Sequence, residues 1–488
     1  MDGHSGIPQD TRMLFGGLAR DPRLRPVGLL QSGNLVVDSG LPLDDSGGIA
    51  QGLDPTQRID TLSKVVVSLQ QGPVWHRAVW ARRRFMERVG PTGAGLASLL
   101  SMSTKLTGFD PTHFQDFLWR SAFAKSLPVS DFEAVMACQY RIFRWPWSRL
   151  NQLGVVTGSL GHAVYPRLRT QGMDGFVAQT PYPGRVTQGT RLVVRYHDAM
   201  PLLMPHTVRN RGFHRAMHYH ALVRNARDGA WFSCDSDATR ADLLSIMPSL
   251  EARSATIPAM VSHHYIEETE GPGRVMDVIR ARRNRDAPGG GGADMAMQVS
   301  PDAPPAYLLM VSTIEPRKNH EIVLDAWEQL RGQGHPELQL VLVGALGWDS
   351  QAILQRLKPW LERGGVHMLT GVPPQDLRLL YRHALMTICP SLSEGFDLTG
   401  AEAMASGGLV AASDIRVHRD VYAQAAEYFN PYAPAELVRV LAEVMQDWPA
   451  QRRCERADAG VQRAGRYKSD VVMPQWVAFL EKSCGRSA

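Results

Sequence analysis

The chain of 488 residues lacks any uninterrupted apolar run of the roughly 18 residues that a membrane-spanning helix needs. Its first residues, MDGHSGIPQD, lack the basic-then-apolar pattern of a secretory signal. The five cysteines are scattered and form no C-x-x-C pair, which favours a reducing cytosol over a disulfide framework. The formal net charge of +5 is too small and too dispersed to indicate nucleic-acid binding. We therefore expect a cytoplasmic protein, with peripheral contact to the inner face of the plasma membrane as a further expectation.

One low-complexity stretch divides the chain. Residues 287–305, APGGGGADMAMQVSPDAPP, combine four consecutive glycines with prolines, as in a linker or exposed loop. We expect one domain over residues 1–286 and a second over residues 306–465. Both are long enough to bury a core of their own.

The C-terminal part alternates between short apolar runs and segments of helical period. This alternation predicts a parallel sheet with helices on both faces, whose ligands bind at the carboxyl ends of the strands. The predicted strands are 307–313, 338–345, 366–371, 385–391 and 409–413, and the predicted helices are 319–333, 349–364, 374–384, 398–406 and 434–448.

The N-terminal part has the same character with weaker alternation, and we expect a second α/β domain. The predicted strands are 28–32, 64–70, 173–179, 191–198 and 230–236, the predicted helices are 11–20, 76–89, 130–144 and 237–247, and residues 33–60 are predicted to be loop. GHSGIP at residues 3–8 has the composition of a glycine-rich loop between a strand and a helix, but no strand precedes it. Our hypothesis is that the true start lies upstream of Met1.

The strongest local signal is LMTICPSLSEGFDLTGAEAMASG, residues 385–407. A buried strand, a polar loop and a helix N-terminus follow one another, which is the arrangement of an anion site. Glu394 and Glu402 are eight positions apart, or roughly 12 Å along a helix. One carboxylate at each end would accept hydrogen bonds from a sugar and from a ribose, with a diphosphate between them. The alternative is an ordinary helix with a solvated acid at each end.

Two further motifs also follow predicted strands. Arg317 and Lys318 are adjacent cations suited to a diphosphate, and Asn319 is a candidate helix N-cap. The alternative is a surface pair of cations. His197, in YHDAMPLLMP, would hydrogen-bond a transferred sugar or help to position the acceptor, or it is a structural histidine in a turn.

Three weaker patterns favour structural interpretations. Asp235-Ser236-Asp237 resembles a D-x-D metal motif, but its position before a helix favours an N-cap. His214 and His218 share a helical face without a third metal ligand. Residues 75–89, WHRAVWARRRFMERV, fit either a basic amphipathic helix on a membrane or a solvated helix with a packed aromatic side.

These motifs together resemble the retaining glycosyltransferases of family four. The resemblance covers most of residues 306–450, including EPRKN, VLVGALGW, LTGVPP and EGFDLTGAEAMASG, and it is looser in the N-terminal half. It implies the GT-B fold, in which two facing Rossmann-like domains enclose the active site. It also implies that residues 466–488 form a helix that crosses back to the first domain.

The resemblance implies a donor site in the C-terminal half. Arg317 and Lys318 would bind the donor diphosphate, Glu394 the sugar hydroxyls and Glu402 the ribose. Val372 would line the base pocket. The remaining donor-binding positions are Gly344, after the second strand, and the backbone of Gly395, Phe396, Asp397, Leu398 and Thr399.

On the acceptor side, the resemblance places His197 near the transferred sugar. It places Gly3 and Gly6 in the glycine-rich loop near the acceptor.

The expected activity is retaining transfer of a hexose, with mannose favoured, from a GDP- or UDP-linked sugar. The expected acceptor is a glycan or lipid-linked glycan of surface polysaccharide synthesis. We expect no metal ion and no cofactor beyond the donor. The alternatives are a GT-B phosphorylase or epimerase, and a catalytically silent subunit that binds nucleotide-sugars.

Overall fold

The computed structural model describes residues 6–44, 47–50, 52–70, 93, 103–283 and 306–485. In these ranges no helix is both long and apolar enough to cross a membrane. The predicted linker 287–305 and the segment 75–89, with its predicted helix 76–89, lie outside the described residues.

The described residues of the N-terminal half form three sheets. The largest is parallel, in the order β5-β7-β8-β9, and a three-stranded sheet has the order β1-β3-β2. A short pair, β4 and β6, completes the set. The strands are β1 Val27–Leu30, β2 Thr107–Phe109, β3 Gln139–Ile142, β4 Arg167–Leu168, β5 Gly175–Ala178, β6 Arg185–Val186, β7 Arg191–Tyr196, β8 Trp231–Cys234 and β9 Ser254–Thr256.

The C-terminal half forms one six-stranded sheet in the order β12-β11-β10-β13-β14-β15, and every pairing in it is parallel. Its strands are β10 Tyr307–Val311, β11 Gln339–Val343, β12 Val366–Leu369, β13 Met386–Cys389, β14 Val410–Ser413 and β15 Glu427–Phe429. Strands such as β11 are buried at every residue, as expected for a sheet covered on both faces. The five predicted strands of this half are confirmed.

Helices cover these sheets. Those of the N-terminal half are α1 Ile7–Arg20, α2 Pro55–Leu69, α3 Gln115–Leu118, α4 Phe132–Met136, α5 Trp147–Ser159, α6 Met200–Leu203, α7 Arg211–Arg227, α8 Asp237–Ile246 and α9 Val275–Arg282. Those of the C-terminal half are α10 His320–Gly332, α11 Gln351–Arg363, α12 Pro374–His383, α13 Leu398–Ala405, α14 Arg416–Tyr422, α15 Pro434–Gln446, α16 Ala450–Gly465 and α17 Ser469–Cys484.

Three predictions in the N-terminal half are wrong in whole or in part. Residues 64–70 are not a strand, because residues 64–69 continue α2, which begins inside the predicted loop 33–60. The predicted helix 130–144 is instead the short α4 followed by β3. Tyr140 and Ile142 of β3 are buried in the core, where pairing with β1 outweighs local helical period.

The last helix, α17, packs against the N-terminal half and contacts α1 and β7. Val472, Trp476 and Phe479 are buried in the same apolar cluster as Met13 of α1. The final helix of the chain therefore forms part of the core around the first helix.

Candidate active site

The loop after β10 carries the two predicted cations. Arg317 and Lys318 lie in a short 3-10 turn that leads into α10. Asn319 starts this helix in a left-handed conformation, with φ of 58°, and its side chain does not cap it. Instead its amide donates to the carbonyls of Pro390 at 3.2 Å and Pro431 at 2.9 Å. The predicted N-cap is thus corrected to a clamp that holds the loops after β13 and β15 beside the cations.

Glu394, in the loop after β13, contacts both cations. Its Oε1 lies 2.5 Å from Nζ of Lys318 and 3.0 Å from the guanidinium of Arg317. All three side chains are only 10–15% exposed. Burial opposes the charge of Glu394, but Arg317 and Lys318 outweigh it and lower the pKa of the carboxyl. Both cations therefore contact the Glu394 carboxylate, and Arg317 also pairs with Glu315 at 2.8 Å.

The two halves of the chain meet at Gly395. Its carbonyl accepts hydrogen bonds from Ser236 at 2.8 Å and Thr239 at 3.0 Å, both near the start of α8. A Cβ at Gly395 would lie 1.8 Å from the carbonyl oxygen of His197. Since a side chain here would collide with backbone, the contact requires glycine.

The next residues direct their side chains into their own half. Phe396 is buried edge-on against Tyr467, and Leu398 packs on the same core. Thr399 donates its hydroxyl to the carbonyl of Val311 at 3.1 Å. If this segment holds a donor, its backbone provides the contacts.

Asp397 has a left-handed backbone, with φ of 66°. Its carboxylate lies 3.1 Å from Nε2 of the fully buried His418. Burial disfavours the charge, but the hydrogen bond from His418 and the charge of Lys318 outweigh it and lower the pKa of Asp397. This buried hydrogen bond holds a residue other than glycine in a conformation that favours glycine.

Glu402 has different neighbours from Glu394. It is 4% exposed and accepts a hydrogen bond from Nε2 of Gln9, on α1, at 3.2 Å. Burial raises the pKa of its carboxyl to about 8. Contact with ribose remains a prediction for Glu402, and its hydrogen bond with Gln9 ties α13 to α1.

The raised pKa of Glu402 predicts a pH-dependent stability. The ordinary pKa of a glutamate is 4.5, and that of folded Glu402 is about 8. Between these two pH values, the folded state holds a proton that the unfolded state loses. Stability conferred by this group is therefore complete below pH 4.5 and lost as the pH rises to about 8, by about 1.4 kcal/mol per pH unit. Glu402→Gln, which mimics the protonated form, should flatten this fall in urea titrations from pH 5 to 9. The exposed Glu337→Gln is the control; parallel curves for wild type and Glu402→Gln would contradict the protonated assignment.

His197 follows β7 and is nearly buried. Its Nδ1 lies 2.7 Å from Oδ2 of Asp235, and its Nε2 has no hydrogen-bond partner among the described residues. The adjacent Asp198 lines a cavity of about 230 Å³ together with Glu394 and Leu203. His197 therefore lies at the border between the two halves, beside a cavity that reaches Glu394.

The remaining predicted positions lie on other loops. A Cβ at Gly344 would lie 2.0 Å from the carbonyl oxygen of Ser312, so the ends of β10 and β11 can approach only because this residue is glycine. Val372 is partly buried in the loop before α12. Gly6 precedes α1 with φ of 69°, and Gly3 lies outside the described residues.

The patterns weighed as metal sites have structural roles. Ser236 caps α8 by accepting from the amide of Thr239, which confirms the N-cap interpretation. His218 contacts the hydroxyl of Tyr196 at 3.0 Å. Among the described residues, no group of three His, Cys, Asp or Glu side chains is arranged to hold a metal ion.

Sequence reasoning missed several residues that join the two halves. Asp420 accepts a hydrogen bond from the amide of Ala238 at 2.6 Å, and Gln9 reaches Glu402. No local pattern identifies such partners, because each contact joins segments more than 180 residues apart.

Residues 296–459 match the family model described as glycosyl transferases group 1. Sucrose-phosphate synthase from Thermosynechococcus elongatus superposes with a TM-score of 0.52 at 16% identity, covering 72% of this chain and 84% of that one. The chain has the GT-B fold. Its parallel sheets belong to two Rossmann-like domains, as the resemblance implied.

Curated relatives match this GT-B chain over shorter stretches. O-antigen chain mannosyltransferase B of Escherichia coli is 30% identical over 141 residues, which are 29% of this chain and 37% of that protein. MMP alpha-(1->4)-mannosyltransferase of Mycolicibacterium hassiacum is 31% identical over 185 residues, 37% of this chain and 44% of that one. The chain thus spans less than half the length of either relative.

Proposed function

We propose that this protein transfers a hexose from a nucleoside diphosphate-sugar to a glycan or lipid-linked glycan. The observation that carries the proposal is the mostly buried cluster of Arg317, Lys318 and Glu394, at the carboxyl edge of a parallel sheet. Ligands of open α/β sheets bind at this edge. The cavity beside Asp198 leads from the cluster toward the other half of the chain.

Each member of the cluster has a distinct role in this reaction. Arg317 and Lys318 bind the diphosphate and stabilise the negative charge that grows on it as the sugar leaves. Glu394 then exchanges part of its contact with the cations for the hydroxyl groups of the sugar. The cluster is pre-formed, so little reorganisation accompanies the departure of the nucleoside diphosphate.

The finer features of the proposal rest on resemblance. Relatives named as O-antigen chain mannosyltransferases favour mannose as the sugar and a surface polysaccharide as the acceptor. Retention of the anomeric configuration is what the resemblance to family four implies. We favour front-face displacement, in which the departing phosphate takes the proton of the acceptor hydroxyl.

A donor panel tests the function. Thermal shift with GDP, UDP and their hexose conjugates identifies the base, and chromatography then measures release of nucleoside diphosphate with and without glycan acceptors. Proton NMR of the first product reports its anomeric configuration. Turnover of a sugar phosphate without nucleotide would identify a phosphorylase instead. Nucleotide binding without any turnover, or inversion at the anomeric carbon, would overturn the corresponding part of the proposal.

The proposed reaction uses cationic side chains in place of a divalent metal ion. Extensive dialysis against EDTA should therefore leave the transfer rate within about two-fold of the untreated protein, because Arg317 and Lys318 supply the charge. The rate is compared before dialysis, after dialysis, and after re-addition of Mg²⁺ or Mn²⁺. A loss that only a divalent ion restores would contradict the metal-free assignment.

A further inference from the structure

A buried chain of ionisable side chains lies behind His197, and the proposed reaction does not use it. Arg195, on β7, is completely buried. Its guanidinium donates to the carboxylate of Asp10 at 3.1 and 3.2 Å, and its Nε lies 2.8 Å from Oδ1 of Asp235. The other oxygen of Asp235 is the one that contacts His197. Side chains from α1, β7 and β8 thus form a continuous series that ends at His197.

Arg195 is fixed on every side. It also donates to Ser233 at 3.0 Å and to the carbonyl of Ile257 at 2.5 Å. The indole of Trp476, from α17, lies 5.2 Å from its guanidinium carbon. A guanidinium held by this many partners orients the carboxylates that contact it.

The charges of this series balance only when His197 is protonated. Asp10 and Asp235 carry two negative charges and Arg195 one positive charge, so −2 + 1 leaves −1, which an imidazolium brings to zero. A net buried charge is costly. Burial lowers the pKa of His197, but Asp235 and Asp10 outweigh burial and Arg195 and raise it. The carboxylate of Asp198, in the same loop, acts on His197 in the same direction.

The hydrogen-bond pattern fixes which ring nitrogen is available. A carboxylate only accepts, so Nδ1 of His197 must carry a proton toward Asp235. Nε2 is the remaining polar atom of the ring and is buried without a partner among the described residues. Leaving such a group unpaired is unfavourable, so Nε2 is the atom available to a ligand.

We propose that Asp235 is a positioning residue, which with Arg195 and Asp10 holds the His197 ring so that Nε2–H donates to an oxygen of the bound donor. The identity of the donor rests on the proposed function, whereas the arrangement of the four side chains does not. Asp235 acts through His197 and does not contact the substrate.

Histidine NMR tests the arrangement directly. In ¹⁵N-histidine-labelled protein, with the resonance of His197 assigned through His197→Gln, we expect a proton on Nδ1 across the titration. In Asp235→Asn, the midpoint of the His197 titration should fall by about 1 to 2 pH units, because the nearest opposite charge is lost. Asp237→Asn, an exposed acid two positions along, is the matched control and should leave the midpoint unchanged.

A double-mutant cycle tests the role in turnover. Asp235→Asn should lower kcat by about 10- to 100-fold with a much smaller change in KM. In the His197→Gln background the same substitution should change kcat by less than about three-fold, because its effect requires the imidazole. Equal losses of kcat in both backgrounds would show that Asp235 supports the fold and does not act through His197.

Asp10→Asn is the second variant to measure if Asp235→Asn does not fold. Asp10→Asn removes the distal carboxylate and should also lower the titration midpoint of His197, by a smaller amount. An unchanged midpoint in the folded variant would overturn the inference. If the wild type transfers no sugar from any donor, the proposed function fails while the NMR measurement still decides the arrangement.

Discussion

Glu394→Gln should reduce sugar transfer by about 10²- to 10³-fold while changing the affinity for nucleoside diphosphate by less than about five-fold. Glu394 is the carboxylate shared by Lys318 and Arg317, and it is one of the side chains that line the cavity beside Asp198. The amide keeps its volume but gives up the charge that accepts hydroxyl hydrogen bonds in the proposed reaction. Removing that charge also releases Lys318 and one contact of Arg317, which stays paired with Glu315, so nucleotide binding should survive.

Initial rates and isothermal titration with the nucleoside diphosphate measure the two quantities separately. Glu321→Gln is the matched control, because Glu321 is exposed in the first turn of α10 and loses the same charge away from the cluster. Transfer at the wild-type rate by Glu394→Gln would refute its role with the sugar. A loss of nucleotide affinity as large as the loss of rate would instead make Glu394 an organiser of the cations.

Arg317→Ala combined with Lys318→Ala should have the opposite signature, weakening nucleoside diphosphate binding by about 10²-fold or more. These two cations are only 15% exposed beside Glu394, where an added diphosphate would meet little competing solvent. The variant also leaves Glu394 without the charges that lower its pKa, so some loss of thermal stability should accompany the loss of binding.

A second double variant controls for net charge. Arg356→Ala with Lys358→Ala removes two cations from the exposed face of α11 in the same half of the chain. It should leave nucleotide affinity unchanged within error. Equal affinities in the cluster variant and the wild type, at the same ionic strength, would reject the diphosphate site.

The sequence predicted those parts of the fold whose structure is determined by interactions between residues close together in the chain. Five of the six strands in the C-terminal sheet were predicted, because strands buried on both faces are continuous apolar runs, as in QLVLV of β11. The sixth, β15, is only partly buried and was not predicted. In α2 the valine-rich run at residues 65–67 indicated a strand, but the local signal for a helix lay upstream. Asp54 accepts from the amides of Thr56 and Gln57, and Pro55 occupies the first turn.

The residues of the site also differ in whether local sequence determines their contacts. Glu394, Arg317 and Lys318 lie in two strand-to-helix loops of one sheet. Because the fold brings such loops together, the sequence pattern predicted that these residues would be neighbours. The series behind His197 could not be predicted in this way. Asp10 and Asp235 are 225 positions apart, and only the packing of α1 against the strands places both on one guanidinium. The Asp235-Ser236-Asp237 triplet alone does not indicate that Asp235 contacts Arg195.

The last helix ties the final residues of the chain to its beginning. Trp476 covers the guanidinium of Arg195, and Val472 and Phe479 complete the core around α1. Chimaeras that combine the C-terminal half of this protein with a different N-terminal half therefore have two junctions rather than one. Residues 469–484 must be kept together with residues 6–283. A graft that exchanges everything after residue 306 removes the Trp476 indole that packs on Arg195 behind His197.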